Sequence, residues 1–277
     1  QMKDYSDPKK YPGTHFNGWA MGGQNMCDIH LVLKRLVILR HDGLLEKGIH
    51  DWMHFLGTSK LEWATLLTDV QRAVRKYHNP NFTISFDCAS PFLATANGQI
   101  YCELETENKT KWVYRMVPSI DDKALSTDTT PFGQAFVREG KHPSFMDSPV
   151  TKELSAKDIC IYGPGDLNKI GKEGKTSWDS FSYAIMMGHN VWMHINAVQE
   201  ANRQYDSGVF PAMLVEERFD RLYFKDIVEA IFATDNRDEA EAVIEEFSKF
   251  WMSIIGTRGA TGKKTVNAQT KFGELFE

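Results

Sequence analysis

The stretch NFTISFDCASPF, from Asn81 to Phe92, reads as an apolar strand on Phe82, Ile84 and Phe86 that ends on an acid, Asp87, followed at once by Cys88, Ala89 and Ser90. A carboxylate at the carboxyl end of an apolar strand is either a helix N-cap or a working group. As a working group it has two chemistries open to it, nucleophilic attack and acid–base transfer. Two glycine-bearing turns accompany it. GWAMGG contains Gly18, Trp19 and Ala20, and HFLGTS contains Leu56 and Gly57.

The elements that must position these residues follow from hydrophobic spacing. The segment GTHFNGWAMGG predicts a short strand ending in glycines. NMCDIHLVLKRLVILRHDGLL predicts a helix with Ile29, Leu33, Leu36, Val37 and Leu44 at helical spacing. DWMHFLGTS predicts a second strand. KLEWATLLTDVQRAVRKYH predicts an amphipathic helix with Leu61, Ala64, Leu67, Val70 and Val74 on one face, and NFTISFDC a third strand. Strand ends at Gly18, Leu56 and Asp87 recur at a pitch of about 35 residues, which implies βαβ units and a parallel sheet. Ligand groups in such sheets gather at the carboxyl ends of the strands, so one shared site is expected there.

After Asp87 the rhythm changes. ANGQIYCELE and KWVYRMVPS predict the arms of an antiparallel hairpin around TENKTK. Residues 119–177 read as irregular. Helix returns in SWDSFSYAIMMGHNVWMHINAVQEANRQYDSG and in RDEAEAVIEEFSKFWMSII, and the tail from Gly256 reads as mobile. The expected organisation is a barrel portion over 1–100, a hairpin and irregular insertion over 101–177, and a helical C-terminal region over 178–277.

Composition narrows the class. The chain of 277 residues is 42% hydrophobic and 25% charged, the balance of an ordinary globular protein. With 32 basic and 37 acidic residues its net charge is -5, so nucleic-acid binding would need a local basic patch. No apolar run is long enough to span a membrane, and the four cysteines form no CxxC pair. The expectation is therefore a cytoplasmic protein with reduced thiols and no membrane partner.

Taken in order, NGWAMGG, HFLGTS and FDCAS resemble the later part of the tRNA-guanine transglycosylase superfamily, which includes the queuine and archaeosine tRNA-ribosyltransferases. MMGHNVWMHINAVQEANRQY is similar to that family's late helix, and the resemblance runs from about Gly13 to Tyr205, weakest over 103–180. It implies an α/β fold of the (β/α)8 TIM-barrel type. Such a barrel takes roughly 250 residues at about 30 per unit. This chain would then hold only the last three βα units, followed by a mixed α+β subdomain, and would be the C-terminal part of a longer protein. The part before it would carry a second catalytic aspartate.

The resemblance also implies a pentosyltransferase reaction, in which guanine in tRNA or DNA is exchanged for a 7-deazaguanine base. Asp87 is then the nucleophile toward the sugar C1′, where a carboxylate meets an oxocarbenium-like centre and forms a displaceable ester. Gly18, Trp19 and Ala20 correspond to the family's purine-contacting turn, and Leu56 and Gly57 to the base-pocket lining. Trp19, His54 and Phe92 are further candidates for stacking on base or ribose. The implied partners are nucleic acid, the deazaguanine base and a second subunit in a homo- or heterodimer; no cofactor is implied.

Several positions depart from the family pattern. Gly22-Gly23 stand where many members have a glutamate. The zinc-binding CxCxxC is represented by Cys160 alone, so no metal is expected. No basic residue lies between Asp87 and Lys109, which leaves Lys109, Lys111 and Arg115, or Lys169, Lys172 and Lys175, to meet a polynucleotide. These departures suit the divergent branch that inserts 7-deazaguanines into DNA, often in phages. They fit that branch as well as they fit a tRNA enzyme; Gly22-Gly23 and the lost zinc ligands also favour a catalytically silent partner subunit or nucleic-acid-binding homologue, against which Asp87 in its full FDCAS setting argues. An unrelated α/β-barrel hydrolase with Asp87 as acid or base is a third reading.

Overall fold

The computed structural model describes residues 2–23, 25, 28–105, 112–161, 179–218 and 221–257. Two compact units divide the chain. One takes the residues up to Cys88 and those from Gln204 onward; the other takes the described residues from Ala89 to Arg203. The sequence expectation set its boundaries at 100 and 177, whereas the compact units part at 88 and 203.

In chain order the first unit opens with helix α1 (Met2–Tyr5). Strand β1 (Gly18–Met21), helix α2 (Ile29–His41), strand β2 (Trp52–Phe55), helix α3 (Leu61–Tyr77) and strand β3 (Thr83–Phe86) follow. The three strands form a parallel sheet in the order β1-β2-β3. This is the strand–helix alternation expected from the sequence, and the chain is a mixed α/β protein. The second unit contributes helix α4 (Ser90–Ala96), strands β4 (Gln99–Glu105) and β5 (Val113–Pro118), and helices α5 (Phe132–Arg138) and α6 (Ala156–Ile159). Helix α7 (Ser180–Asp206) ends in the first unit, which also holds strands β6 (Val215–Glu216) and β7 (Leu222–Tyr223) and helices α8 (Phe224–Ala233), α9 (Arg237–Glu246) and α10 (Ser248–Ser253). No helix among the described residues is long and apolar enough to cross a membrane.

The first unit is built around α2 and α3. Helix α2 starts where the Asp28 carboxylate accepts the His30 N–H, an N-cap that satisfies one otherwise orphaned donor. Ile29, Leu33, Leu36 and Val37 are buried as expected, but so are His30, Lys34 and Arg40, because α9 and α10 pack on the face that the sequence left to solvent. Lys34 reaches Glu245 at 2.6 Å, and Arg40 donates to the Phe232 carbonyl at 2.9 Å and to Asp235 at 2.6 Å. The Asp235 side chain is 98% exposed, so that ion pair contributes little. The larger stabilisation comes from the apolar faces of α3 and α8, where Leu66, Leu67, Val70, Val74, Ile227, Val228 and Ile231 are buried. Each such side chain is worth roughly 1.5–3 kcal/mol.

In the second unit β4 and β5 form the expected antiparallel hairpin, with a bulge between Tyr101 and Glu103; its tip, residues 106–111, lies outside the described residues. The stretch expected to be irregular holds α5 and α6. Phe132 and Phe136, one turn apart on α5, pack with Ile100, Ile120, Ile159 and Met186 in one core. A capping box between Ser155 and Asp158 starts α6. These helices are too short for periodicity to show, and tertiary burial holds them.

Helix α7 fastens this unit through the dipeptide His189-Asn190. His189 Nε2 donates to the Tyr101 carbonyl at 2.7 Å, while Asn190 accepts the Tyr101 N–H at 2.9 Å and donates to Thr95 and Gln99. Burial holds His189 down at about 4, well below the ordinary histidine value. In the unfolded chain that histidine takes up a proton below about 6.5, whereas in the folded chain it does so only near 4. Stability therefore falls as pH drops from about 6.5 to 4, by up to about 3 kcal/mol from this group. Urea unfolding should show that loss in the wild type and a flatter slope in His189→Gln. Equal slopes would mean that His189 does not carry the effect.

Candidate active site

The sheet has two unlike faces. Trp19 and Met21 of β1 and Met53 and Phe55 of β2 are buried, while the alternate residues turn the other way. The register stacks those alternates in rows: Gly18, Trp52 and Thr83, then Ala20, His54 and Ser85. Main-chain bonds carry the pairing beyond the strands. Leu56 N donates to Met21 O at 2.9 Å and Thr58 N to Asp87 O at 2.7 Å, which brings Gly22, Leu56 and Asp87 to the carboxyl edge.

Asp87 is not a helix N-cap. That position of α4 belongs to Ala89, which makes no side-chain cap bond. The Asp87 carboxylate instead accepts the Gly57 N–H on Oδ1 at 3.1 Å, with His54 Nε2 at 3.6 Å from the same oxygen. Its side chain is 62% exposed. Gly57 presents its N–H from a left-handed turn at φ 79°, a conformation that glycine adopts without strain.

The donor inventory orders the groups behind Asp87. The Trp52 indole N–H can only donate, so at 2.7 Å the Ser85 hydroxyl oxygen accepts it. The Ser85 hydroxyl also bonds His54 Nδ1 at 2.9 Å, as donor when the ring carries its proton on Nε2 and as acceptor when it carries it on Nδ1. Nε2 is the nitrogen facing Asp87. Trp52, Ser85 and His54 thus form a chain of hydrogen bonds that orients the imidazole beside the carboxylate. The Gly57 N–H bond and the His54 contact both fall on one oxygen, Oδ1.

Of the sequence-derived site, Asp87, Leu56 and Gly57 come together at the carboxyl edge. Ala20 lies on the same open face, one row back beside His54. Gly18 and Trp19 do not join them. Gly18 opens β1 at the amino edge, opposite Trp52 and Thr83, rather than closing the strand. A Cβ on Gly18 would stand 2.8 Å from the Trp52 carbonyl, so glycine there serves close strand packing. Trp19 points into the core and donates its indole N–H to the Leu44 carbonyl at 3.2 Å. The glycines at the carboxyl end of β1 are Gly22 and Gly23. The misplacement comes from reading NGW, rather than MGG, as the turn.

His54 was a stacking candidate; it instead stands 3.6 Å from Asp87, hydrogen-bonded to Ser85. Ser85 and Trp52 were not expected. The signal was the period-two spacing of Trp52 with His54 and of Ser85 with Asp87, which puts each pair on one sheet face. Phe92, on α4, is exposed in the second unit. Arg115 pairs with Glu103 and Glu105, which offsets its charge. Lys109, Lys111, Lys169, Lys172, Lys175 and the tail from Arg258 lie outside the described residues. Cys160 sits in the second unit's apolar core. Among the described residues no group of three or more His, Cys, Asp or Glu is placed to hold a metal.

Comparison with known family models, curated proteins and solved structures finds no match.

The hydrogen-bond order at His54 is directly measurable. Imidazole ¹⁵N shifts should report the Nε2-protonated tautomer for neutral His54 in the wild type and a mixture of tautomers in Ser85→Ala. Unchanged shifts would show that Ser85 does not set the ring.

Proposed function

We propose that this chain carries the nucleophile of a base-exchange transglycosylase, which replaces guanine in a nucleic acid, tRNA or DNA, by a 7-deazaguanine. The observation that carries the reading is Asp87: an exposed carboxylate at the carboxyl edge of a parallel sheet, held on one oxygen by the Gly57 N–H with the His54 ring beside the same oxygen. A carboxylate so held has its other oxygen free for attack. Oδ2 bonds to the sugar C1′ as the C1′–N9 bond breaks, and guanine leaves with the bonding pair and takes up a proton. The incoming base then attacks C1′ through its own N9, loses that proton, and releases Asp87 as the carboxylate. In this scheme Gly57 and His54 are positioning groups.

The open sheet face supports a barrel reading. Parallel sheets are ordinarily covered on both faces. A bare face bearing Trp52, His54 and Ser85 behind a nucleophile suits the inner wall of a (β/α)8 barrel, whose active sites lie at the carboxyl ends of its strands. On this reading the three strands are the last three of eight. Leu56, with 47% of its surface exposed beside Asp87, lines the base pocket. The setting is cytoplasmic, and a homo- or heterodimeric partner belongs to the same reading.

The test uses the full-length protein with labelled guanine or 7-deazaguanine and, separately, tRNA and duplex DNA, with Asp87→Ala beside wild type. Label should enter one of the two polymers, and a denaturation-resistant protein–polymer adduct should form. Asp87→Ala should lose the adduct and at least about 10³-fold of the exchange rate. Absence of label and adduct with both polymers would refute the reading and leave a silent partner subunit in its place.

A further inference from the structure

The two oxygens of Asp87 stand in unlike surroundings. Oδ1 accepts the Gly57 N–H at 3.1 Å and has His54 Nε2 3.6 Å away. Among the described residues no Lys or Arg stands at ion-pair distance from this carboxylate; the imidazole does. The ring is held there from behind. Ser85 bonds Nδ1 at 2.9 Å, and the Trp52 indole N–H donates to the Ser85 oxygen at 2.7 Å. At 3.6 Å the imidazole is oriented toward Oδ1 yet short of a hydrogen bond to it. Hydrogen bonds that serve a reaction are often long before substrate arrives and close only in the reacting complex.

A carboxylate can only accept, so the ring faces it favourably with a proton on Nε2. What such a donor does to the reaction follows from charge. In the transglycosylase reading Oδ2 attacks the sugar and Oδ1 stays behind. In the free carboxylate Oδ1 shares the negative charge, whereas in the aspartyl–sugar ester it is a neutral carbonyl oxygen. A hydrogen bond to an ionised acceptor is roughly twice as strong as one to a neutral acceptor. A donor on Oδ1 therefore stabilises free Asp87 more than the ester, with the transition state between them. Such a donor slows attack slightly and speeds the departure of Asp87.

We propose that His54 is the positioning residue that releases Asp87 from the ester, its Nε2–H closing on Oδ1 as the carboxylate charge returns. The proposal rests on the transglycosylase reading and assigns this side chain to one half of that reaction. In the release step N9 of the incoming base bonds C1′ with its own electron pair. The C1′–Oδ2 bond breaks, its pair returns to the carboxylate, and the N9 proton passes to solvent. His54 gives up no proton and acts through Asp87 alone. The Gly57 N–H, on the same oxygen, works in the same sense from the main chain.

The experiment is rapid-quench counting of the denaturation-resistant adduct that the full-length protein forms with end-labelled tRNA or duplex DNA, and of its discharge when excess guanine is added. With the polymer that wild type takes up, His54→Phe should form adduct no more slowly and discharge it roughly tenfold more slowly. His54→Gln, which keeps an N–H donor, should recover part of the discharge rate. A histidine that merely props Asp87 in place would, once replaced, slow formation and discharge together. That result, or discharge at the wild-type rate in His54→Phe, would overturn the proposal and leave the transglycosylase reading standing. If His54→Phe fails to fold, Ser85→Ala, which frees the ring to turn, carries the test. Its discharge should slow about threefold, and a wild-type rate there would overturn the proposal. Absence of wild-type adduct with both polymers would overturn the transglycosylase reading, and this proposal with it.

Discussion

The register of three short parallel strands is the constraint on which the Asp87 site depends. Strand side chains alternate with period two, so a slip of one residue in β2 against β3 would move His54 into the core and Met53 onto the open face. The Ser85–His54 bond and the His54–Asp87 contact would then both be lost. What pins the register is burial on the other face, where Met53 and Phe55 are fully enclosed, together with the two main-chain bonds at the carboxyl edge. Four-residue strands have few hydrogen bonds of their own. The helices make up the difference, and the precision of the site is borrowed from a core that contains none of its residues.

That core is assembled from distant parts of the chain. Helices α8, α9 and α10 return to pack on α2 and α3, and the Trp63 indole donates to the Ile255 carbonyl at 2.9 Å. This return explains why α2 carries His30, Lys34 and Arg40 in buried positions. Read alone, the helix has a polar face meant for water; in the fold that face meets α9, and its long side chains reach acceptors there. Burying a Lys or Arg stem covers apolar area while the charged end finds an oxygen. Most of the stabilisation is nevertheless apolar contact, because the acidic partners of Lys34 and Arg40 remain half or fully exposed.

The βαβ alternation and the β4–β5 hairpin were legible because each rests on local pattern: helical spacing in α2 and α3, alternation in the strands, and an obvious turn between β4 and β5. The short helices α5 and α6 were not, since four to seven residues are too few for a period and long-range burial holds them. In the site, Asp87, Leu56 and Gly57 could be read from one strand end at a time. Gly18 was misread because a glycine serving close strand packing and a glycine opening a turn look identical in one dimension. His54 and Ser85 acquire meaning only as a row, and rows belong to the register rather than to either strand.

Two aspartates of this unit show how environment divides one chemistry. Asp87 stands at a strand end with most of its surface in water, the Gly57 N–H bonded to one oxygen and the His54 ring beside it, which steers a carboxylate without shielding it. Asp69 stands on a buried helix face against the Tyr205 hydroxyl, where desolvation outweighs its neighbours and pushes its carboxyl up to about 7. The first arrangement suits attack on a carbon, where an exposed and oriented oxygen is needed. The second suits a structural acid, enclosed with the Tyr205 hydroxyl and out of reach of solvent. Neither role follows from the residue type. Each follows from which neighbouring donors the fold has already committed.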